Sequence, residues 1–193
     1  MYKCCTTEHA ARQQRIFEDC LMELLQSKPY SEITISALCE RAGYSRYTFY
    51  RLYDGKDDVL NSIVDKTLLN WLKHNWGKPA VPSELFETTC RFFSYWLEQK
   101  PLLNALCSNG KSSMLVERSM DYLAKEDRSI AKYFNADNSE NGDEILEFCL
   151  NGIYGLVVSW HRNGYEKSVE QMARILGTML QTPLLYPENA KKA

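Results

Sequence analysis

The sequence predicts an all-α fold, and three observations carry that prediction. Apolar residues recur at spacings of three and four along most of the 193-residue chain, as they do on one face of a helix. No stretch alternates apolar and polar residues as a half-buried strand does. Proline and glycine interrupt the periodic segments, and hydrophobic residues make up 45% of the chain, which excludes a disordered protein.

The chain is organised around residues 34–60, TISALCERAGYSRYTFYRLYDGKDDVL. Gly43 lies where a short helix ends in a left-handed conformation, which glycine adopts without a steric penalty. Thr34 is the predicted N-cap of that helix and Ser45 the N-cap of the next, because their hydroxyls can accept from backbone N–H groups of the first turn. The helix after Ser45 is short, basic and aromatic, which predicts a helix-turn-helix that enters a DNA major groove.

The distribution of charge favours DNA binding more than its total does. The net charge is only −2. From Arg41 to Lys56 there are four basic residues and one acidic residue, whereas residues 57–193 carry 15 basic and 18 acidic residues. A basic end on an acidic body is the footprint of a protein that touches nucleic acid with one end. A solvated helix face is the alternative interpretation of the charge alone.

Residues 43–53, GYSRYTFYRLY, and residues 56–60, KDDVL, resemble the DNA-binding signature of the TetR family of bacterial transcriptional regulators. With a first helix before them, they cover about the first third of the chain. The family usually has His where Leu52 stands and Phe where Tyr53 stands. Leu52 removes a common contact to DNA, so the operator or the affinity is expected to depart from the family pattern.

Nine residues are the predicted DNA contacts. Arginine can grip guanine O6 and N7 with two hydrogen bonds, and tyrosine can contact a thymine methyl group or a phosphate. Hydroxyls at a helix start can also hold a phosphate, although capping alone is the alternative for two of them, Thr34 and Ser36. The resemblance implies a phosphate contact for Tyr50 and supports one for Lys56. The nine are Thr34, Ser36, Ser45, Arg46, Tyr47, Thr48, Tyr50, Arg51 and Lys56.

The order of predicted helices gives two domains, a DNA-binding head over residues 1–55 and an effector-binding and dimerisation body over residues 56–193. The first helix is predicted over residues 7–27, and the fourth, which links head to body, over residues 56–75. A break follows at residues 76–82. The body helices are predicted over residues 83–98, 100–108, 112–133, 143–162 and 169–181, with Ser83 and Ser168 as caps and a polar loop at residues 135–142.

Small and apolar residues on the last two long helices predict a homodimer. Gly152, Gly155 and Ser159 lie at helical spacing and would let a second helix approach closely, and the next helix has one apolar face. In the resembled family the last two long helices form the dimer contact, and packing within one chain is the alternative. The predicted interface residues are Gly152, Gly155, Leu156, Ser159, Val169, Met172, Leu176 and Leu180.

Aromatic residues are dense in the body, and most of them are expected to form its core. The resemblance implies that some instead line a pocket for a small effector, since such pockets are apolar with a few polar groups. The predicted lining residues are Phe93, Trp96, Met120, Tyr122 and Phe148.

Several classes of function are disfavoured by the sequence. His9, His74 and His161 have no catalytic motif around them, so we expect no enzyme. Cys4-Cys5 has no second cysteine pair or histidine cluster to complete a zinc site, so neither a metal nor a cofactor is expected. No apolar run approaches a membrane span and the N-terminus has no signal region, which predicts a cytoplasmic protein.

The predicted mechanism combines the resemblance with the placement of charge. A homodimer binds a palindromic operator, and a small molecule in the body releases it by preferring a conformation whose heads are wrongly spaced. Two alternatives within the same fold stay open: a co-regulator that acts through protein contacts, and an activator. A small helical enzyme is the alternative from another class.

Overall fold

The computed structural model describes residues 7–75, 85–125 and 140–181. Within these ranges it contains helices and turns and no strand, which confirms the all-α prediction. The predicted break at residues 76–82, the cap at Ser83 and most of the polar loop lie outside the described residues, as do Cys4, Cys5 and the last part of the predicted 112–133 helix. The elements are α1 Glu8–Leu25, a 3₁₀ turn Tyr30–Glu32, α2 Ile35–Ala42, α3 Arg46–Leu52, α4 Lys56–Asn75, α5 Leu85–Glu98, α6 Lys100–Ser108, α7 Met114–Lys125, α8 Gly142–Arg162 and α9 Val169–Gln181.

Local sequence chemistry sets the boundaries of the short helices in the head. Thr34 Oγ1 accepts from the backbone N–H of Ala37 at 3.1 Å, which starts α2. Gly43 ends α2 with φ of +68°. Ser45 Oγ accepts from the backbone N–H of Thr48 at 3.2 Å and starts α3. The predicted turn and both predicted caps are confirmed.

Aromatic rings form the core of the head. Phe17 of α1 is fully buried and meets Phe49 of α3 edge to face, with ring centroids 5.3 Å apart. Tyr53 is also fully buried and packs on Phe17 at 6.2 Å. Leu52 is only 3% exposed. The chain therefore has a core side chain at the position where the TetR signature usually has histidine.

The body is a helical bundle built on a second aromatic cluster. α9 packs along α5, and α8 packs against α6 and α7. Trp96 is fully buried, with its ring centroid 5.6 Å from that of Tyr154, and Phe93 meets Trp160 at the same distance. Burial of several large aromatic side chains supplies most of the driving force for this packing.

α4 joins the head to the body because it packs on α1 at one side and on α7 at the other. Toward α1, the Lys66 ammonium donates to both carboxylate oxygens of Glu18, at 2.6 and 2.8 Å. Toward α7, Arg118 makes a bidentate pair with Asp65, at 2.7 and 2.6 Å. The two charged contacts come from consecutive residues of α4, so a single turn of this helix is tied to both domains.

Gly43→Ala should lower the free energy of unfolding by about 1 kcal/mol, because an L side chain is strained at positive φ. Space does not limit the substitution, since a Cβ there would have no neighbour within 4 Å. Gly55→Ala is the matched control, because Gly55 is equally open but has no positive φ. Urea unfolding followed by circular dichroism measures both, and an equal loss in the two variants would contradict the left-handed cap.

Candidate nucleic-acid interface

α3 presents two tyrosines and an arginine to solvent. Tyr47 is 80% exposed and Tyr50 is 48% exposed, although both are large side chains that folding usually buries in part. Arg46 is exposed beside them, and its guanidinium donates to Ser36 Oγ of α2. Ser36 therefore fixes the direction of Arg46 across the turn between the two helices.

The arginines of α3 are held by neutral acceptors. Arg46 bonds the Ser36 hydroxyl, and Arg51 donates to the amide oxygen of Gln13, a side chain of α1 that is 5% exposed. Arg41 of α2 pairs with the Glu23 carboxylate instead, at 2.6 Å. The two α3 arginines are thus oriented while their positive charge remains available to a phosphate or a guanine.

The predicted hydroxyl contacts have structural roles of their own. Thr34 and Ser45 use their oxygens as caps, and Ser45 Oγ also lies 3.2 Å from Thr48 Oγ1. A hydroxyl that accepts from the backbone keeps its own proton for a phosphate oxygen, so capping and DNA contact are compatible. DNA contacts by Thr34, Ser45 and Thr48 stay predictions.

Lys56 has a different environment from the one expected of an extended phosphate contact. Its ammonium donates to the backbone carbonyl oxygens of Tyr30 at 2.7 Å and Ile33 at 2.8 Å, and it lies 4.4 Å from the centre of the Tyr30 ring. The Lys56 ammonium therefore joins the start of α4 to the 3₁₀ turn. Lys56 is thus a brace within the head, and its contact with a phosphate stays a prediction.

Tyr30 connects this brace to the body, a role that no sequence motif indicates. The Tyr30 backbone N–H donates to Asn109 Oδ1 at 2.7 Å, and its hydroxyl donates to Asp57 Oδ1 at 2.6 Å. Lys111 Nζ reaches the same Asp57 oxygen at 3.1 Å. Asn109 and Lys111 follow α6, so the turn between α1 and α2 is tied to the body by residues about eighty positions away.

The environment of this junction shifts the acidity of both partners. Burial raises the pKa of the Tyr30 phenol, and the adjacent Asp57 carboxylate raises it further. The hydrogen bond from Tyr30 lowers the pKa of Asp57 below its ordinary value, with a smaller contribution from Lys111 and partial opposition from burial. Tyr30 therefore stays a neutral donor and Asp57 a charged acceptor at neutral pH.

The five predicted effector residues do not share one site. Phe93 and Trp96 are fully buried in the aromatic core, whereas Phe148 is 80% exposed on α8. Met120 and Tyr122 are half-buried on α7. Phe93 and Trp96 thus belong to the core and Phe148 to the surface, and a role for any of the five in an effector pocket stays a prediction.

An open cleft of about 440 Å³ lies elsewhere in the body, between α4 and α5. It contains none of the five residues predicted for an effector. Six of its seven lining residues have a polar group, and the seven are Lys66, Thr67, Leu69, Asn70, Lys73, Tyr95 and Gln99.

The predicted dimer residues divide between surface and core. Gly152, Gly155 and Ser159 are exposed along one face of α8, and Leu180 is 43% exposed near the end of α9. Met172 and Leu176 are 4% and 5% exposed. The apolar face of α9 that carries them packs within the chain, along α5, and their place in a dimer contact stays a prediction.

Leu156 and Val169 are half-buried, and both touch the core of their own chain. In residues 7–75, 85–125 and 140–181 no group of three His, Cys, Asp or Glu side chains is placed to hold a metal ion. No helix in the same ranges is long and apolar enough to cross a membrane.

Family models match both parts of the chain. The model described as bacterial regulatory proteins, tetR family, matches residues 20–63. The TetR_C_8 model, described as transcriptional regulator C-terminal region, matches residues 83–182. No curated protein matches the sequence.

Solved structures share the fold at low sequence identity. A TetR transcriptional regulator from Streptococcus agalactiae 2603V is 17% identical, with a TM-score of 0.65 over 90% of this chain and 96% of that one. A TetR-family regulator from Syntrophomonas wolfei strain Goettingen is 13% identical, with a TM-score of 0.67 over 92% and 99%. The dihydroxyacetone kinase operon activator DhaS is 16% identical, with a TM-score of 0.54 over 87% and 93%.

A helix-turn-helix head with an exposed basic, aromatic helix on an all-helical body defines a DNA-binding transcriptional regulator and not an enzyme. The chain belongs to the TetR family of transcriptional regulators.

Tyr30→Phe should raise the pKa of Asp57 in the folded protein, because it removes the hydrogen bond that lowers this pKa most. The lowered pKa of Asp57 stabilises the folded wild type fully above about pH 4, and this stabilisation is lost as the pH falls through the lowered pKa. Tyr30→Phe should therefore lose less free energy of unfolding than the wild type when the pH is lowered. Carboxyl NMR titration measures the pKa, and urea unfolding from pH 7 downwards measures the stability. Tyr44→Phe is the control, and an unchanged Asp57 pKa in Tyr30→Phe would refute the junction.

Proposed function

We propose that the protein is a homodimeric repressor that binds a palindromic operator through α3 and is released from it by a small molecule bound in the body. The exposure of Tyr47 and Tyr50 beside the oriented, uncompensated Arg46 carries this proposal. A two-fold dimer presents two such helices about one DNA turn apart, which matches a palindromic operator.

Each exposed side chain of α3 has a chemical task in the major groove. Arg46 lies at the N-terminal end of α3, where a recognition helix meets base edges, and can take guanine O6 and N7. Tyr47 can pack on a thymine methyl group. Tyr50 and Arg51, one turn further along, suit phosphate oxygens, which position the helix without reading sequence.

The exposed face of α8 supports dimerisation. Phe148, Gly152, Gly155 and Ser159 follow one another at spacings of four and three, so they lie on one side of the helix. Phe148 is 80% exposed, and a solvent-exposed aromatic beside small residues is typical of a helix–helix interface. Met179 and Leu180 near the end of α9 are also exposed apolar side chains.

Repression needs the fewest additional contacts. A dimer on promoter DNA excludes the polymerase by occupancy alone, whereas activation requires a further protein contact. The neighbour DhaS is named an activator, and at 16% identity its likeness extends to the fold alone. A promoter–reporter assay with and without the protein decides the sign of regulation.

Release by an effector requires a link between body and head, and α4 supplies it. This helix is tied to α1 through Lys66 and Glu18 and to α7 through Asp65 and Arg118. A ligand that prefers one placement of α4 shifts the spacing of the two heads by its difference in affinity for the two conformations.

Arg46→Ala should weaken specific operator binding by about tenfold or more, since a bidentate arginine–guanine contact contributes about 1–3 kcal/mol. Fluorescence anisotropy across a salt series, with DNA from upstream of the gene, measures the affinity and its salt dependence. Arg91→Ala is the matched control, because Arg91 is an exposed arginine of α5 whose guanidinium donates to Thr88 of its own helix. Equal affinities for wild type and Arg46→Ala, or binding that is the same on any DNA, would exclude α3 as the reading helix.

Gly155→Arg should convert the protein to a monomer, because a long charged side chain would stand where two helices approach. It should leave the monomer folded, since a Cβ at Gly155 has no neighbour within 4 Å among the described residues. Sedimentation equilibrium measures the mass, with Ser94→Arg on the exposed side of α5 as the control. A dimer that persists in Gly155→Arg would move the interface away from α8.

A further inference from the structure

The cleft between α4 and α5 is a site whose residues suggest a ligand class. Lys66, Asn70 and Lys73 occupy one face of α4 at spacings of four and three. Tyr95 of α5 and Gln99, which lies between α5 and α6, complete the polar lining. The volume of about 440 Å³ is in the range of sites for small molecules. Seven residues of helix separate the two lysine positions by about 10 Å, so a ligand can lie along the cleft between their ammonium groups.

The charge of the lining has one sign. Two lysines line the cleft and no carboxylate does. Lys73 is exposed and has no ion pair within the described parts of the chain. Asn70, Thr67 and Gln99 add hydrogen-bonding groups between and beside the lysines. Such a lining favours an anion with further polar groups over an apolar molecule or a cation.

The wall opposite the lysines is held in place. The Tyr95 hydroxyl donates to the backbone carbonyl oxygen of Thr67 at 2.6 Å, which bridges α5 to α4 at the cleft. The Tyr95 ring also packs on Trp71, with centroids 5.5 Å apart. The cleft is therefore a formed feature of the helix pair, and Trp71 lies close enough to report on its occupation.

Lys66 connects the cleft to the DNA-binding head. Its side chain is 44% exposed, yet its ammonium donates to both oxygens of Glu18. Glu18 is only 7% exposed, and its other contacts are the neutral hydroxyls of Ser62 at 2.6 Å and Tyr53 at 3.2 Å. Lys66 is thus the cation that compensates a buried carboxylate of the head while its outer side lines the cleft.

We propose that this cleft is the effector site and that the effector is a small dianion, a dicarboxylate or a phosphorylated metabolite, which competes with Glu18 for Lys66. This inference rests on the proposed function, because it names the ligand class and the link for effector release. An anion between Lys66 and Lys73 draws the Lys66 charge away from Glu18. The buried carboxylate then keeps neutral partners only, which weakens the attachment of α1 to α4. By linkage, the anion and the operator oppose one another.

Direct binding is tested on the full-length protein without DNA. Succinate, citrate and inorganic phosphate are titrated separately while tryptophan fluorescence is recorded, with chloride replaced so that ionic strength stays constant. We expect saturation by at least one of the three anions and loss of the signal in Trp71→Phe. The three probes distinguish a carboxylate ligand from a phosphate ligand. Responses no different from that of chloride for all three would overturn the proposal.

Variants locate the binding. Lys73→Gln should raise the dissociation constant about tenfold, the effect of losing one well-placed charge. Lys167→Gln removes the same charge from an exposed position in the turn before α9 and should leave binding unchanged. Equal affinity in Lys73→Gln and wild type would place the anion outside the cleft and overturn the proposal.

Coupling is tested by operator affinity at constant ionic strength, with and without the saturating anion. We expect about fivefold weaker DNA binding by the wild type at saturation, as in ordinary allosteric coupling, and for Lys73→Gln the same effect only at about tenfold higher anion concentration. An anion that binds the cleft without changing DNA affinity would overturn its role as effector. If the wild type fails to bind operator even without anion, the repressor proposal is wrong, while the fluorescence result still decides whether the cleft binds anions.

Discussion

Glu18 places a carboxylate, 7% exposed, where α1 meets α4, and the relation of head to body depends on how its charge is compensated. A buried charge is tolerated only when it is paired and hydrogen-bonded. Here all three donors, from Lys66, Ser62 and Tyr53, lie on α4 or just before it. Loss of any one of these donors would leave the buried carboxylate only partly compensated. One placement of α1 against α4 is therefore favoured, and the position of α3 follows because α3 packs on α1 in the core of the head.

The contacts on α4 explain how a local event can reach the DNA. Asp65 holds α7 through Arg118, and the next residue, Lys66, holds α1, so α4 cannot rotate about its axis without straining one of the two pairs. The Tyr30 junction adds a third tie, from the 3₁₀ turn to Asp57 of α4 and to Asn109 after α6. These ties would favour discrete arrangements of head and body over continuous bending, which is the condition for the proposed switch.

The parts of this structure that the sequence predicted depend on chemistry within a few residues. The left-handed Gly43, the caps at Thr34 and Ser45 and the capping box of Ser168 with Gln171 needed only their own turns. The parts that the sequence leaves open depend on distant residues. An apolar face such as that of Met172 and Leu176 has the same periodicity whether it packs on α5 or on a second subunit. Lys56 likewise carries the same signature whether its ammonium meets a phosphate or the Tyr30 carbonyl.

The pairing of the cations accounts for DNA binding by a chain of net charge −2. Arg118 and Lys66 form ion pairs with Asp65 and Glu18, and these pairs help to hold the helices together. On α3 the arginines hydrogen-bond a hydroxyl and an amide, which restrict their motion and leave their charge uncompensated. Because these two arginine side chains are already oriented, they lose less entropy when DNA binds. Because no carboxylate among the described residues neutralises them, they keep their full attraction to phosphate. The number of basic residues alone would not distinguish the head from the body. What distinguishes the head is that the arginines of α3 are not paired with carboxylates in the described parts of the chain, which suits them to contact DNA.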